Sequence, residues 1–196
     1  MQSDAKPKLL TVLDIVAVVM LLVATAMVFF YAPMEAVMGQ VQRVFYFHIG
    51  TAWTGLLGFV IASIAGIAYL VSKDMKWDRF GVAAVEVSTV FFFITIALGS
   101  IWARPAWNTW WTWDPRLTTA AVTELVYVAY FMLRQGIEDP EKRARFGAVY
   151  ALLGGLLGLA WLAFPAALPA YALRAHAHLM LLGFVIGWKR EGAAAL

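Results

Sequence analysis

The chain has 196 residues, 63% of them hydrophobic and only 14% charged, with a formal net charge of +3. Typical soluble domains carry roughly 25% charged residues, and a domain of this size has too much surface for its volume to bury so large an apolar share. With a mean hydropathy of +0.77, the composition excludes an ordinary soluble domain and implies a protein embedded in a lipid bilayer. The lack of cysteine excludes disulfides, CxxC redox chemistry and thiolate metal sites. The positive residues lie between apolar segments, so the net charge gives no indication of nucleic acid as a partner.

A spanning helix needs roughly 20 mostly apolar residues. Six stretches meet or nearly meet that length, at 9–31, 47–71, 81–102, 117–133, 146–164 and 171–188. The first carries Asp14, the second begins at His48, the third carries Glu86 and the fourth Glu124. The fifth is uncharged, and the sixth holds Arg174, His176 and His178 in its first half. These runs are long and do not alternate as barrel strands do. The expected fold is all-α, a single membrane domain over 1–196 with six transmembrane helices. The first apolar run is about twice the length of a signal-peptide core, so it reads as a membrane helix. Small residues in GFVIASIAGIAY and LLGGLLGLAW suit close helix packing.

Lys and Arg favour the cytoplasmic loops. With the N-terminus inside, eleven of the fifteen Lys and Arg residues fall on the inner side, leaving Arg43, Arg104, Arg116 and Arg174 outside. Both termini are therefore expected to be cytoplasmic. All three histidines then lie at outer helix ends, on the same face as the segment joining the third and fourth helices. Inner charges such as Lys73, Asp74, Glu141, Lys142 and Arg143 read as solvated anchors. Asp14 and Glu86 lie near inner ends, within reach of Lys8 or Arg79. Glu124 lies about two turns below the outer end, where it would support the outer site from beneath.

Residues 102–118 read WARPAWNTWWTWDPRLT and hold five of the nine tryptophans. An interfacial aromatic belt is one explanation. The other is a rigid aromatic shelf, since Trp offers a large flat surface with few torsions to freeze. A flat conjugated ligand would stack there, and Arg104 and Arg116 would pair with its carboxylates through bidentate forks. Asp114 precedes Pro115, an arrangement that suits an N-cap with proline at the first helical position.

The string WNTWWTWDPRLT closely resembles the WWD signature of the cytochrome c biogenesis haem-handling superfamily, and within it the CcmC (haem exporter protein C) family. The segment RVFYFHIGTAW with His48, and the count of six helices, resemble the same family. WDPRLT followed by TELVYVAYFMLR is also similar to the related CcsA branch. The resemblance implies a carrier of non-covalent b-type haem, not an enzyme. The carrier would present haem at the periplasmic face of the bacterial inner membrane for c-type cytochrome maturation.

On this resemblance His48 and one of His176 or His178 are the axial ligands of the iron. The latter two are two residues apart, so on a regular helix they point about 200° from each other and cannot both face one site. His176 is preferred as the shallower position in helix six, with His178 the alternative. Trp107, Trp110, Trp111 and Trp113, with Asp114 in the same segment, would form the shelf. Arg104 and Arg116 would hold the propionates. The implied partners are the haem chaperone CcmE and the subunits CcmA, CcmB and CcmD. No nucleotide-binding motif is present, so any ATP energy would come from another chain. Two other classes remain: a bis-His b-type haem subunit of a membrane quinone oxidoreductase, and a small transporter with a cavity through the membrane. The first would want facing histidine pairs within the helices, which helices one to five lack. The second would want helices broken at the midplane.

Overall fold

The computed structural model describes residues 8–166. They form five α-helices: α1 Lys8–Ala26, α2 Gln42–Ser72, α3 Met75–Trp107, α4 Pro115–Gly136 and α5 Pro140–Ala166. A single π-helical turn, Met27–Tyr31, extends α1. The sixth expected helix, with Arg174, His176 and His178, lies outside the described residues. Among the described residues three helices are long and apolar enough to cross a membrane: Lys8–Tyr31, Gln42–Ser72 and Met75–Trp107.

The helices run past the apolar stretches because their ends are set by caps. The α2 helix closes on Lys73 in the left-handed region (φ 58°), and Asp74 then opens α3 by accepting the Lys76 N–H at 2.9 Å. Asp139 opens α5 by accepting the N–H groups of Glu141 and Lys142 at 2.9 and 3.0 Å. At its N-terminus α2 starts at Gln42 rather than at His48. The added turns are held by aromatic contacts, with the Arg43 guanidinium 5.4 Å over the Phe29 ring and Phe45 5.4 Å from Trp102. His48 therefore lies six residues inside the helix, about 9 Å along its axis.

The core forms where α2 packs between α3 and α5, with α4 against α5. Phe59 of α2 stacks on Tyr127 of α4, with ring centroids 3.8 Å apart and planes 5° from parallel, and Phe92 of α3 meets Phe59 edge-on. The expected small-residue packing is present. A Cβ on Gly66 would come within 3.0 Å of the Ala148 carbonyl, and one on Gly154 would strike the Tyr127 ring. Ser63 donates across the same interface to the Ala151 carbonyl at 2.8 Å. In contrast, α1 contributes no buried residue.

At the Lys73 end, Arg134 donates to both carboxylate oxygens of Asp78 at 2.7 and 2.9 Å. Their side chains are only 14% and 9% exposed. Arg134, one of the Lys and Arg residues expected on the inner side, is half of a half-buried fork that ties α4 to α3. Lys76 and Asp74 form the looser, exposed pair expected of an anchor.

Candidate functional site

At the other end α2, α3 and α4 converge on a pocket of about 190 Å³. Phe45 and His48 come from α2, Thr95, Gly99, Trp102 and Trp107 from α3, and Arg116, Leu117 and Ala120 from α4. The connection between α3 and α4 adds Trp110, Trp111 and Asp114.

That connection cannot use helical hydrogen bonds, so its backbone oxygens must find other donors. Side chains supply them. Arg104 donates to the Asn108 carbonyl at 2.6 Å, Ser100 to Trp110 at 2.7 Å and Thr109 to Trp111 at 3.0 Å. Asn108 ends α3 in the left-handed region (φ 56°), one turn after Pro105. Asp114 begins α4 by accepting the N–H groups of Arg116 and Leu117 at 2.8 and 3.1 Å, while Thr112 donates to its other oxygen at 2.9 Å. Burial pushes the Asp114 carboxyl up. The Leu117 N–H, the Thr112 hydroxyl, the Arg116 N–H and the Arg116 charge outweigh burial and hold it below the ordinary carboxylate value.

The aromatic wall consists of edge-to-face pairs. Trp102 meets Trp107 at 5.2 Å and 85°, and Trp111 meets Trp113 at 5.6 Å and 78°. Trp107 and Trp110 are more than half exposed, and Trp113 is 74% exposed. The indole N–H groups of Trp102 and Trp111 are buried with no acceptor among the described residues. An unmatched buried donor costs roughly 1–3 kcal/mol, and such groups gather where a site awaits something else.

His48 is half-buried against α3. Its Nδ1 lies 2.9 Å from the Thr95 carbonyl. A carbonyl oxygen only accepts, so Nδ1 carries the proton and Nε2 of the neutral ring keeps its lone pair. Nε2 has no hydrogen-bond partner among the described residues. Among those residues no group of three or more His, Cys, Asp or Glu side chains could hold a bare metal ion. One imidazole beside an aromatic wall and a guanidinium suits a metal already held by other donors in a flat, partly anionic ligand.

Of the residues singled out in the sequence, the pocket brings together His48, Trp107, Trp110, Trp111, Asp114 and Arg116. Arg104 and Trp113 lie outside its lining: Arg104 is spent on the Asn108 carbonyl, and Trp113 leans outward on Trp111. His176 and His178 lie outside the described residues. Glu124 is buried one turn below Ala120 but does not line the pocket, and its Oε2 has no partner among the described residues. Sequence reasoning missed Phe45, Thr95 and Gly99. Phe45 sits three residues before His48, which is one helical turn. The spacing of Thr95 and Gly99, four residues apart, was the available signal, because i and i+4 share a helix face.

Residues 3–160 match the family described as CcmC, Heme exporter protein C. The chain belongs to the CcmC family. It is 34% identical over 145 residues to the Heme exporter protein C of Escherichia coli K12, covering 72% of this chain and 58% of that protein. It is 32% identical over 125 residues to that of Bradyrhizobium diazoefficiens, covering 64% and 48%, and 30% identical over 131 residues to that of Rhodobacter capsulatus, covering 67% and 54%. The chain thus spans about half the length of these curated relatives. The family match takes in the whole of the pocket, from Phe45 to Ala120.

Proposed function

We propose that this chain binds haem in the pocket between α2, α3 and α4 and presents it for c-type cytochrome maturation. The observation that carries the reading is His48, whose Nδ1 is engaged by Thr95 while Nε2 has no hydrogen-bond partner among the described residues, at the edge of a tryptophan-lined cavity. Neutral imidazole nitrogens are ordinary axial ligands of haem iron. Trp107, Trp110 and Trp111 would bear on the macrocycle, and Arg116 would pair with a propionate. Arg104 and Trp113 stand at the rim and would contribute only if the rim closes over the ligand. With no cysteine in the chain, the haem is held without thioether bonds. His176 or His178 supplies the second axial ligand, with His176 preferred.

In this reading the site opens to the periplasm of a bacterial inner membrane, and the chain is a carrier that changes no covalent bond of the haem. It hands its cargo to the chaperone CcmE, alongside CcmA, CcmB and CcmD. The test is to purify the chain from haem-replete cells, record spectra with and without reductant, and then add apo-CcmE. About one haem per chain, passed to CcmE on mixing, is the expected result. Tightly held haem that reduces quinone would favour an electron-transfer subunit, and a chain that takes up no haem would refute the reading.

A further inference from the structure

His48 belongs to α2 and packs on α3. The histidine is wedged against one face of α3 at a point where that helix has no side chain. A Cβ on Gly99 would lie 2.8 Å from His48 Cε1, closer than real Cβ atoms approach, and 3.2 Å from Nδ1, a tight contact. In an α-helix the carbonyl of residue i faces the amide of residue i+4, so the Thr95 carbonyl sits beneath Gly99. The missing side chain at Gly99 leaves that carbonyl open on one side, and the His48 Nδ1–H fills the opening at 2.9 Å. Beside it, the Thr95 hydroxyl lies 2.9 Å from the Thr51 hydroxyl, which in turn bonds the carbonyls of Phe47 and His48. This pins α2 to α3 one turn from the histidine. Phe45 bounds the ring on another side, its centroid 6.3 Å away.

We propose that Thr95, Gly99 and Thr51 are positioning residues that fix the tautomer and ring plane of His48, so that Nε2 alone is offered to the pocket. The inference rests on the haem reading above for its purpose, but the fixture itself is a property of the ligand-free chain. A ligating histidine needs its second nitrogen held, because a free ring divides its time between two tautomers and many orientations. Here a main-chain carbonyl does the holding, and the glycine one turn on makes that carbonyl reachable.

The test has two parts. In the haem-free chain labelled with ¹⁵N-histidine, with the His48 signals identified by their loss in His48→Gln, the ring should be a single Nδ1–H tautomer. In Gly99→Ala it should become a mixture or switch to Nε2–H. In the haem-loaded protein Gly99→Ala should weaken haem binding by about 10–100-fold, the usual loss when a partner of a metal ligand is disturbed. Its spectrum should move toward a missing axial ligand, with free imidazole restoring it. An Nε2–H tautomer in the unaltered haem-free chain would overturn the proposal even if Gly99→Ala fails to fold. An unchanged tautomer and spectrum in a folded Gly99→Ala would overturn it equally. A fixed Nδ1–H tautomer in a chain that takes up no haem would sink the haem reading and leave the fixture standing.

Discussion

The two ends of the helix bundle are built to opposite rules. At the Lys73 end a pocket between the helices holds only about 10 Å³, and the half-buried Arg134 has both arms of its guanidinium fork on Asp78. Tyr69 there donates to the Glu141 carbonyl at 3.2 Å, and the Arg134 guanidinium lies 5.5 Å from the Tyr130 ring centre. At the His48 end α2, α3 and α4 enclose about 190 Å³, and among the described residues two indole N–H groups are left without acceptors and an imidazole nitrogen has no hydrogen-bond partner. The closed end matches its polar groups internally and holds the helices together. In the proposed reading the open end keeps its unmatched groups for haem. Among the described residues the unmatched indole donors lie at one end, so the proposed reading separates stability from function along the bundle.

That separation gives the expected effects their order. Removing one partner of the half-buried fork, as in Arg134→Ala or Asp78→Ala, should cost the most, about 1.5–3 kcal/mol, because it breaks two charge-assisted hydrogen bonds and strands a partly desolvated charge. Thermal unfolding in detergent would register it, and the haem spectrum of the molecules that remain folded should not change. Replacing both partners with apolar residues of similar size should recover much of the loss. At the open end the aromatic effects are smaller. Trp110→Ala or Trp111→Ala should each forfeit about 0.5–1.5 kcal/mol of stacking, read as roughly two- to tenfold weaker haem retention. Trp113→Ala should do less, since its ring is largely exposed. If Trp107, Trp110, Trp111 and Trp113 all become Leu with haem delivery intact, the tryptophans are an interfacial belt and the comparison between the ends loses half its content.

At the joint between pocket and helix the expected effect falls on stability. Asp114→Ala should lower stability by about 1 kcal/mol through loss of the cap, while Asp114→Asn, which keeps an acceptor, should be nearly neutral. The sign of the pH dependence follows from the held-down carboxyl. A carboxyl whose folded value is lowered contributes fully above its ordinary range and loses that contribution as pH falls through the folded value. The stability that the α4 cap contributes should therefore be complete at neutral pH, begin to fall as pH enters the usual carboxylate range, and be gone only in stronger acid. Unfolding of the native chain and of Asp114→Asn across that range would reveal the difference.

The open end was the more legible of the two in the sequence. The crowding of tryptophans, the Asp114-Pro115 pair and His48 are local signals, and the structure places all of them within or beside one pocket. The cap was readable because Asp before Pro satisfies two N–H groups by short-range geometry alone. The fork between Asp78 and Arg134 spans 56 residues, and no local pattern announces it. Arg134 therefore read as one more inner-face cation. The early start of α2 was also hidden, since Gln42 and Arg43 are polar and the contacts that hold this turn, Arg43 on Phe29 and Phe45 on Trp102, are long-range. Gly99 looks like any small residue in an apolar run until the imidazole is seen lying against it.

The division between the ends is tested most directly by measuring two quantities on the same preparations, haem per folded chain and thermal midpoint, for His48→Ala and Arg134→Ala. The account predicts a crossed result. His48→Ala should lose bound haem or its axial-ligand spectrum, recover the spectrum with added imidazole, and unfold near the temperature of the unaltered haem-free chain. Arg134→Ala should unfold far lower and retain the haem spectrum in whatever stays folded. A His48→Ala chain with unaltered haem content and spectrum would contradict it.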